Sequence, residues 1–279
     1  MDDTLVVTPG GPRLRSTVHL VQPNTTPIVA TRVATSLTKS KIAGRPEAAN
    51  WITAAWLDMT GATVTSFSTN WTVPPGPSQQ SSQLLYLFSG MQPTLASTIL
   101  QPVLQWGGTA SDEDGQTRVG QFWTAASWIV PAPDGETHHT PHVRVNPGDI
   151  LVGLITLLNK SPAGCTYTCE FAGLAGTRFV TPVISELVWC VETLEAYELG
   201  SDANPPYDLN SASEYPAAKS TAFKAINISA SGTPQNSSWL VKNYVTNYGE
   251  QSLIVADSST NGEIDIFYST QTAATAGSV

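Results

Sequence analysis

From Asn50 onward, short runs of β-branched and aromatic residues recur at intervals of roughly 8 to 15 residues, each closed by turn residues. No helical periodicity lasts longer than about two turns. The run at 63–73 alternates cleanly before Pro74-Pro75-Gly76, and the runs at 143–145 and 149–158 flank the turn Asn146-Pro147-Gly148. Further runs fall at 84–88, 98–106, 119–130, 166–171, 177–183, 221–228, 239–245, 252–257 and 263–268. A chain spaced in this way folds as an all-β protein, an antiparallel sandwich or barrel.

The pattern predicts three parts. Residues 1–46 form an N-terminal extension or pro-segment, with β-like runs broken by Pro-Gly-Gly-Pro at 9–12. Residues 47–268 form one β-sandwich domain, and 269–279 a flexible tail of small polar residues. Charged residues are only 13% of the chain, with a formal net charge of -9 and a pI near 4.8. The 13 basic residues are scattered, which argues against a nucleic-acid partner. No uncharged apolar run approaches the roughly 18 residues of a membrane span, so no membrane partner is expected. The first residues lack the basic and apolar regions of a signal peptide. The compartment stays open: four N-x-[ST] sequons suit secretion, whereas an odd cysteine count and the missing leader suit the cytoplasm.

The most informative stretch is 183–195, V-I-S-E-L-V-W-C-V-E-T-L-E. In a strand, Val188, Cys190 and Glu192 share one face, and Leu187, Trp189 and Val191 the other. Glu192 therefore continues an apolar face turned inward. A carboxylate there requires a partner or a raised pKa, unless the strand surfaces at that residue. The run 98–106 carries a second signal. Ile99, Gln101, Val103 and Gln105 share a face, so Gln101 is an amide on an otherwise apolar surface, satisfied by a partner or aimed into a cleft. Pro102 interrupts the ladder.

Other polar clusters carry less. His138, His139 and His142 sit in a loop, and Asp112-Glu113-Asp114 forms an acidic turn; both read as solvated, so no metal is expected. Cys165 and Cys169 are four apart, a spacing a hairpin could bridge, without the second ligand pair of a zinc site. Signatures of serine hydrolases, P-loops and dinucleotide folds are absent, and no cofactor is expected. Eight tryptophans either fill the core or line a groove for an extended peptide or a sugar chain.

Four stretches resemble one family in the same order: I-L-Q-P-V-L-Q-W-G-G at 99–108, F-W-T-A-A-S-W-I-V-P at 122–131, V-R-V-N-P-G-D-I-L at 143–151 and W-C-V-E at 189–192. Together they look like the glutamic peptidases, the fungal acid proteases also called eqolisins, and the chain resembles a divergent member. The resemblance implies a concanavalin-like antiparallel β-sandwich, secretion, a polypeptide substrate and an endopeptidase most active in acid. It implies Gln101 and Glu192 as the catalytic pair, Glu192 as general base to water and the Gln101 amide as oxyanion donor. Trp51, Trp106, Trp128 and Gln105 would line the cleft. A carboxylate with a reference pKa of about 4.3 is a usable base near acid pH. One oxyanion donor is worth about 3 kcal/mol.

The chain also departs from the pattern. Ala125, Ala126 or Ser127 stands where the family has a glutamate, Gln105 where it has an aspartate, and Pro102 where it has threonine. Ile52 and Thr53 follow Trp51 where the family has glycines. These departures keep a second function class open, a non-catalytic lectin-like or pseudoenzyme sandwich that binds peptide or glycan on the same face.

Overall fold

The computed structural model describes residues 50–108, 119–198, 209–234 and 237–269. The 1–46 extension, the acidic turn at 112–114 and all of the tail but Ser269 lie outside the described residues. In chain order the strands are β1 (Trp51–Asp58), β2 (Ala62–Thr72), β3 (Gln83–Pro93), β4 (Ile99–Trp106), β5 (Trp123–Val130), β6 (His138–His139), β7 (Val143–Arg144) and β8 (Ile150–Ser161). They continue with β9 (Gly164–Phe171), β10 (Phe179–Val180), β11 (Leu187–Glu198), β12 (Ser220–Gly232), β13 (Leu240–Asn243), β14 (Gln251–Ala256) and β15 (Thr260–Phe267). Ala212–Glu214 adds one turn of 3-10 helix.

These strands build two antiparallel sheets, the sandwich that the strand spacing predicts. The eight-stranded sheet runs β13-β1-β11-β3-β4-β5-β6, with β7 also on β5; the seven-stranded sheet runs β10-β9-β8-β2-β12-β15-β14. Two long strands escape the sequence pattern, as does the two-residue β6 at histidines read as a loop. The first, β1, is buried on both sides, W-I-T-A-A-W-L-D, so it shows no polar alternation. The other, β3, runs on past Phe88 through Ser89, Gly90 and Gln92, polar or small residues that are buried nonetheless.

Alternation sorts the side chains into two layers. Between the sheets, Leu57, Leu87, Leu104, Ile129 and Leu194 of one sheet meet Phe67, Trp71, Tyr167, Phe223 and Ile264 of the other in a continuous core. Trp71 is its centre, with ring centroids 5.5 Å from Phe171 and 5.0 Å from Phe223. A separate aromatic layer covers the outer face of the eight-stranded sheet: Trp51, Trp56, Tyr86, Phe88 and Trp128, with Val103 and Val191.

The two sheets approach closely at Gly153 in β8. A Cβ there would lie 2.8 Å from Pro102 Cγ, 2.9 Å from Ser89 Oγ and 3.0 Å from Trp71 Cη2. Gly153→Ala is expected to destabilise the domain by about 1–3 kcal/mol through overpacking, read as a lower urea midpoint at unchanged slope.

Candidate active site

The site is organised by β11, which lies between β1 and β3 and is hydrogen-bonded on both edges. Its inward residues are Cys190, Glu192, Leu194 and Ala196; Val191 faces out into the aromatic layer, and Glu195 and Tyr197 share its parity.

Glu192 has no solvent exposure. Thr69, from β2 of the facing sheet, donates a hydrogen bond of 2.6 Å to its Oε1. Its Oε2 has no partner. Desolvation pushes its pKa well above the ordinary glutamate value, against the smaller opposing effect of the Thr69 bond.

Gln101 points the other way. It pairs with Trp128 across β4 and β5, on the face of the aromatic layer. The pairs Phe88↔Val103 and Met91↔Leu100 put Gly90 across from Gln101, and Gly90 in turn pairs with Val191. Val191, not Glu192, therefore shares the outer row with Gln101. The structure does not bring Gln101 and Glu192 together: the sheet itself lies between their side chains. The parity of each strand is legible from its own residues, but the phase of β11 against β4 depends on the register of β3 between them.

The other anticipated residues also divide. Trp51 and Trp128 lie in the outer aromatic layer, while Trp106 belongs to the inter-sheet core, 5.4 Å from the Trp123 ring, and donates from its indole to Gln121 Oε1 at 3.1 Å. Trp106 is thus not part of a face shared with Trp51 and Trp128. Gln105 is fully buried, with its Nε2 donating to Gly107 O at 3.0 Å and its Oε1 facing His142 Nε2 at 3.1 Å. The histidines are not the solvated loop that the sequence suggests: His138 and His139 form β6, and His142 is buried. His138 pairs with Asp134 at 2.7 Å, while His139 stacks on Trp128 at 4.4 Å, His142 packs edge-on against Trp128, and the His139 and His142 rings lie 4.8 Å apart. Cys165 and Cys169 are unpaired. Both lie on β9, where four residues of extended chain separate them by about 13 Å, beyond the reach of a disulfide.

A group that no motif signalled is Glu195. It pairs with Trp51 on one side and Tyr86 on the other, and Tyr86 pairs with Gln105, so one row reads Trp51, Glu195, Tyr86, Gln105 across four strands. Tyr197 donates its hydroxyl to Glu195 Oε1, and its ring packs edge-on against Tyr86 at 5.8 Å. Glu195 keeps some contact with solvent. Its aromatic surroundings nevertheless desolvate it, and its pKa is pushed up to about 8. The spacing E-T-L-E carried the signal: a second carboxyl three residues on must point to the opposite side of the same strand.

Chemically, the outer face offers a carboxyl that can exchange a proton near neutral pH, phenols beside it, and flat apolar surface around it. The inner face offers a carboxyl that no substrate on that outer surface can touch.

No protein-family model matches the chain, and no curated protein matches it. Among solved structures it is similar to scytalido-glutamic peptidase with a peptide-based transition state analog, at TM-score 0.47 and 14% identity over 79% of this chain and 100% of the other. It is similar to the same peptidase with a transition state analog inhibitor, at TM-score 0.45 and 16% identity over 79% and 98%. A third is SCP-B, a member of the eqolisin family of peptidases, in a complex with the tripeptide Ala-Ile-His, at TM-score 0.42 and 15% identity over 79% and 100%.

The His142 bond to Gln105 is the simplest part of this site to test. His142→Phe keeps a ring against Trp128 but leaves Gln105 Oε1 without that donor. It is expected to cost about 1–3 kcal/mol of stability, measured by urea denaturation.

Proposed function

We propose that this chain is an endopeptidase of the glutamic type, acting on polypeptides at the outer face of the eight-stranded sheet, with Glu195 as its working carboxyl. The reaction class comes from the motif resemblance. The single observation that carries the assignment to Glu195 is a half-buried carboxyl on the aromatic face, hydrogen-bonded by Tyr197 and desolvated until its pKa is pushed up to about 8.

Glu195 takes a proton from water as the water attacks the scissile carbonyl. The Tyr86 phenol, on the strand directly across, donates to the developing oxyanion. Glu195 then returns the proton to the leaving nitrogen. Gln101 and Trp128, on the same face but further along β4 and β5, hold the substrate chain rather than the reacting bond. Glu192 takes no part in the chemistry.

The pH sign follows from the base. A general base must be ionised, and Glu195 ionises as pH rises through about 8. Turnover therefore rises from acid toward mildly alkaline pH, instead of peaking in acid as the family resemblance implies.

A second reading has one observation in its favour: Gln101 and Glu192 fall on opposite faces, so the family's pair is not assembled. On that reading the aromatic face binds peptide or glycan without cutting.

Digestion of a denatured protein from acid to alkaline pH separates these readings. The wild type is expected to cut, Glu195→Gln to lose about 10²–10⁴-fold, and Glu192→Gln to cut like the wild type wherever it is folded. Loss in folded Glu192→Gln with retention in Glu195→Gln would transfer the chemistry to the inner carboxyl. No cutting at any pH, with peptide or glycan captured, would leave a binding protein.

A further inference from the structure

The inward carboxyl of Glu192 is left without a role by the outer-face chemistry, and its surroundings are unusual for an acid. Its single hydrogen-bond partner among the described residues is Thr69, and its second oxygen has none. The elements packed against it present no cation. From the flanking strands, β1 contributes Ala55 and Leu57, and β3 contributes Leu87, Ser89 and Met91. Across the interior, β2 contributes Phe67, Thr69 and Trp71, and β15 contributes Ile264 and Ile266. On its own strand stand Cys190 and Leu194. Cys190 is the one titratable side chain among these, and a negative charge on Glu192 acts to keep that thiol protonated. Beside Ser89 the sheets close tightly on Gly153, where even a methyl group would meet heavy atoms at 2.8 to 3.0 Å. An ionised carboxylate in this place has one donor, no counter-charge and no water-sized space at the adjoining sheet contact.

We propose that Glu192 is a proton-held strut of the sandwich. Its neutral carboxyl ties β11 to β2 through Thr69 and lets the two sheets close, and its ionisation at higher pH drives them apart. The fold thus carries a built-in release toward alkaline pH. This device rests on the inner face alone and is independent of whether the outer face cuts peptide bonds.

The sign is fixed by proton linkage. The folded state keeps a proton on Glu192 that the unfolded chain gives up near the ordinary glutamate value of about 4.3. The folded-to-unfolded ratio therefore falls as pH rises above that value, by up to about tenfold per pH unit for one proton, until the folded carboxyl itself ionises. Glu195 contributes in the same direction from the other face, so the test must subtract it.

Urea unfolding of the full chain is measured across acid to alkaline pH for wild type, Glu192→Gln and Glu192→Met. Both variants retain Glu195, so a difference in pH slope isolates Glu192. The variants are expected to lose one proton from the linkage, so that their unfolding constants diverge from the wild type's by up to tenfold per pH unit. Parallel slopes for three folded proteins would overturn the proposal. Should neither variant fold, hydrogen exchange of the wild type decides. Amides of β2 and β11 that open with rising pH beyond the intrinsic exchange rate support the strut, and unchanged protection there overturns it.

Discussion

Successive side chains of a β-strand leave on opposite sides, and a strand paired on both edges cannot turn to bring them together. In this protein that constraint acts most strongly on β11, which is locked between β1 and β3. Two carboxyls three residues apart therefore inhabit separate worlds. Glu192 enters the inter-sheet core, and Glu195 enters the aromatic layer outside. The arrangement of Trp51, Tyr86 and Gln105 around Glu195, and of Thr69 and Ser89 around Glu192, follows from the register of the same few strands.

Both acids are desolvated, and among the described residues no cation offsets that effect at either one. Their consequences differ with access. A carboxyl that still touches solvent and sits beside phenols can exchange its proton with a bound molecule, which is chemistry. A carboxyl sealed between two sheets can exchange its proton only when the sheets open, which is stability. The same displacement of protonation, in the same direction, thus serves two functions separated by the thickness of one sheet.

Much of the architecture was legible from alternation and turn residues. The strands at 63–73 and 149–158 emerge close to their observed bounds, because each alternates and abuts a Pro-Gly turn, and 98–106 emerges as an apolar run closed by Gly107-Gly108. Strand β1 was not, since burial on both sides erases the period that marks a half-exposed strand. That Glu192 and Gln101 each stand on an otherwise apolar face was readable within their own strands. Their mutual placement was not, because it depends on how β3 aligns with both neighbours, a long-range property of pairing. Trp106 shows the same limit: its parity set it beside Leu104, yet only the second sheet determines that this side is core. Glu195 stands three residues past W-C-V-E, so no family motif points to it, although strand parity sets it on the side opposite Glu192.

The three cysteines have a consequence of a different kind. Cys165, Cys169 and Cys190 are all buried in the interior, unpaired, and burial holds the thiols of Cys169 and Cys190 strongly toward their protonated form. No covalent cross-link among them holds the sandwich together, so a reducing solvent removes no bond from it. Two of the thiols belong to opposing sheets, Cys169 on β9 and Cys190 on β11. Alkylating reagents excluded from the closed molecule reach them only when the sheets part, and this gives the protein an intrinsic chemical clock for its own opening.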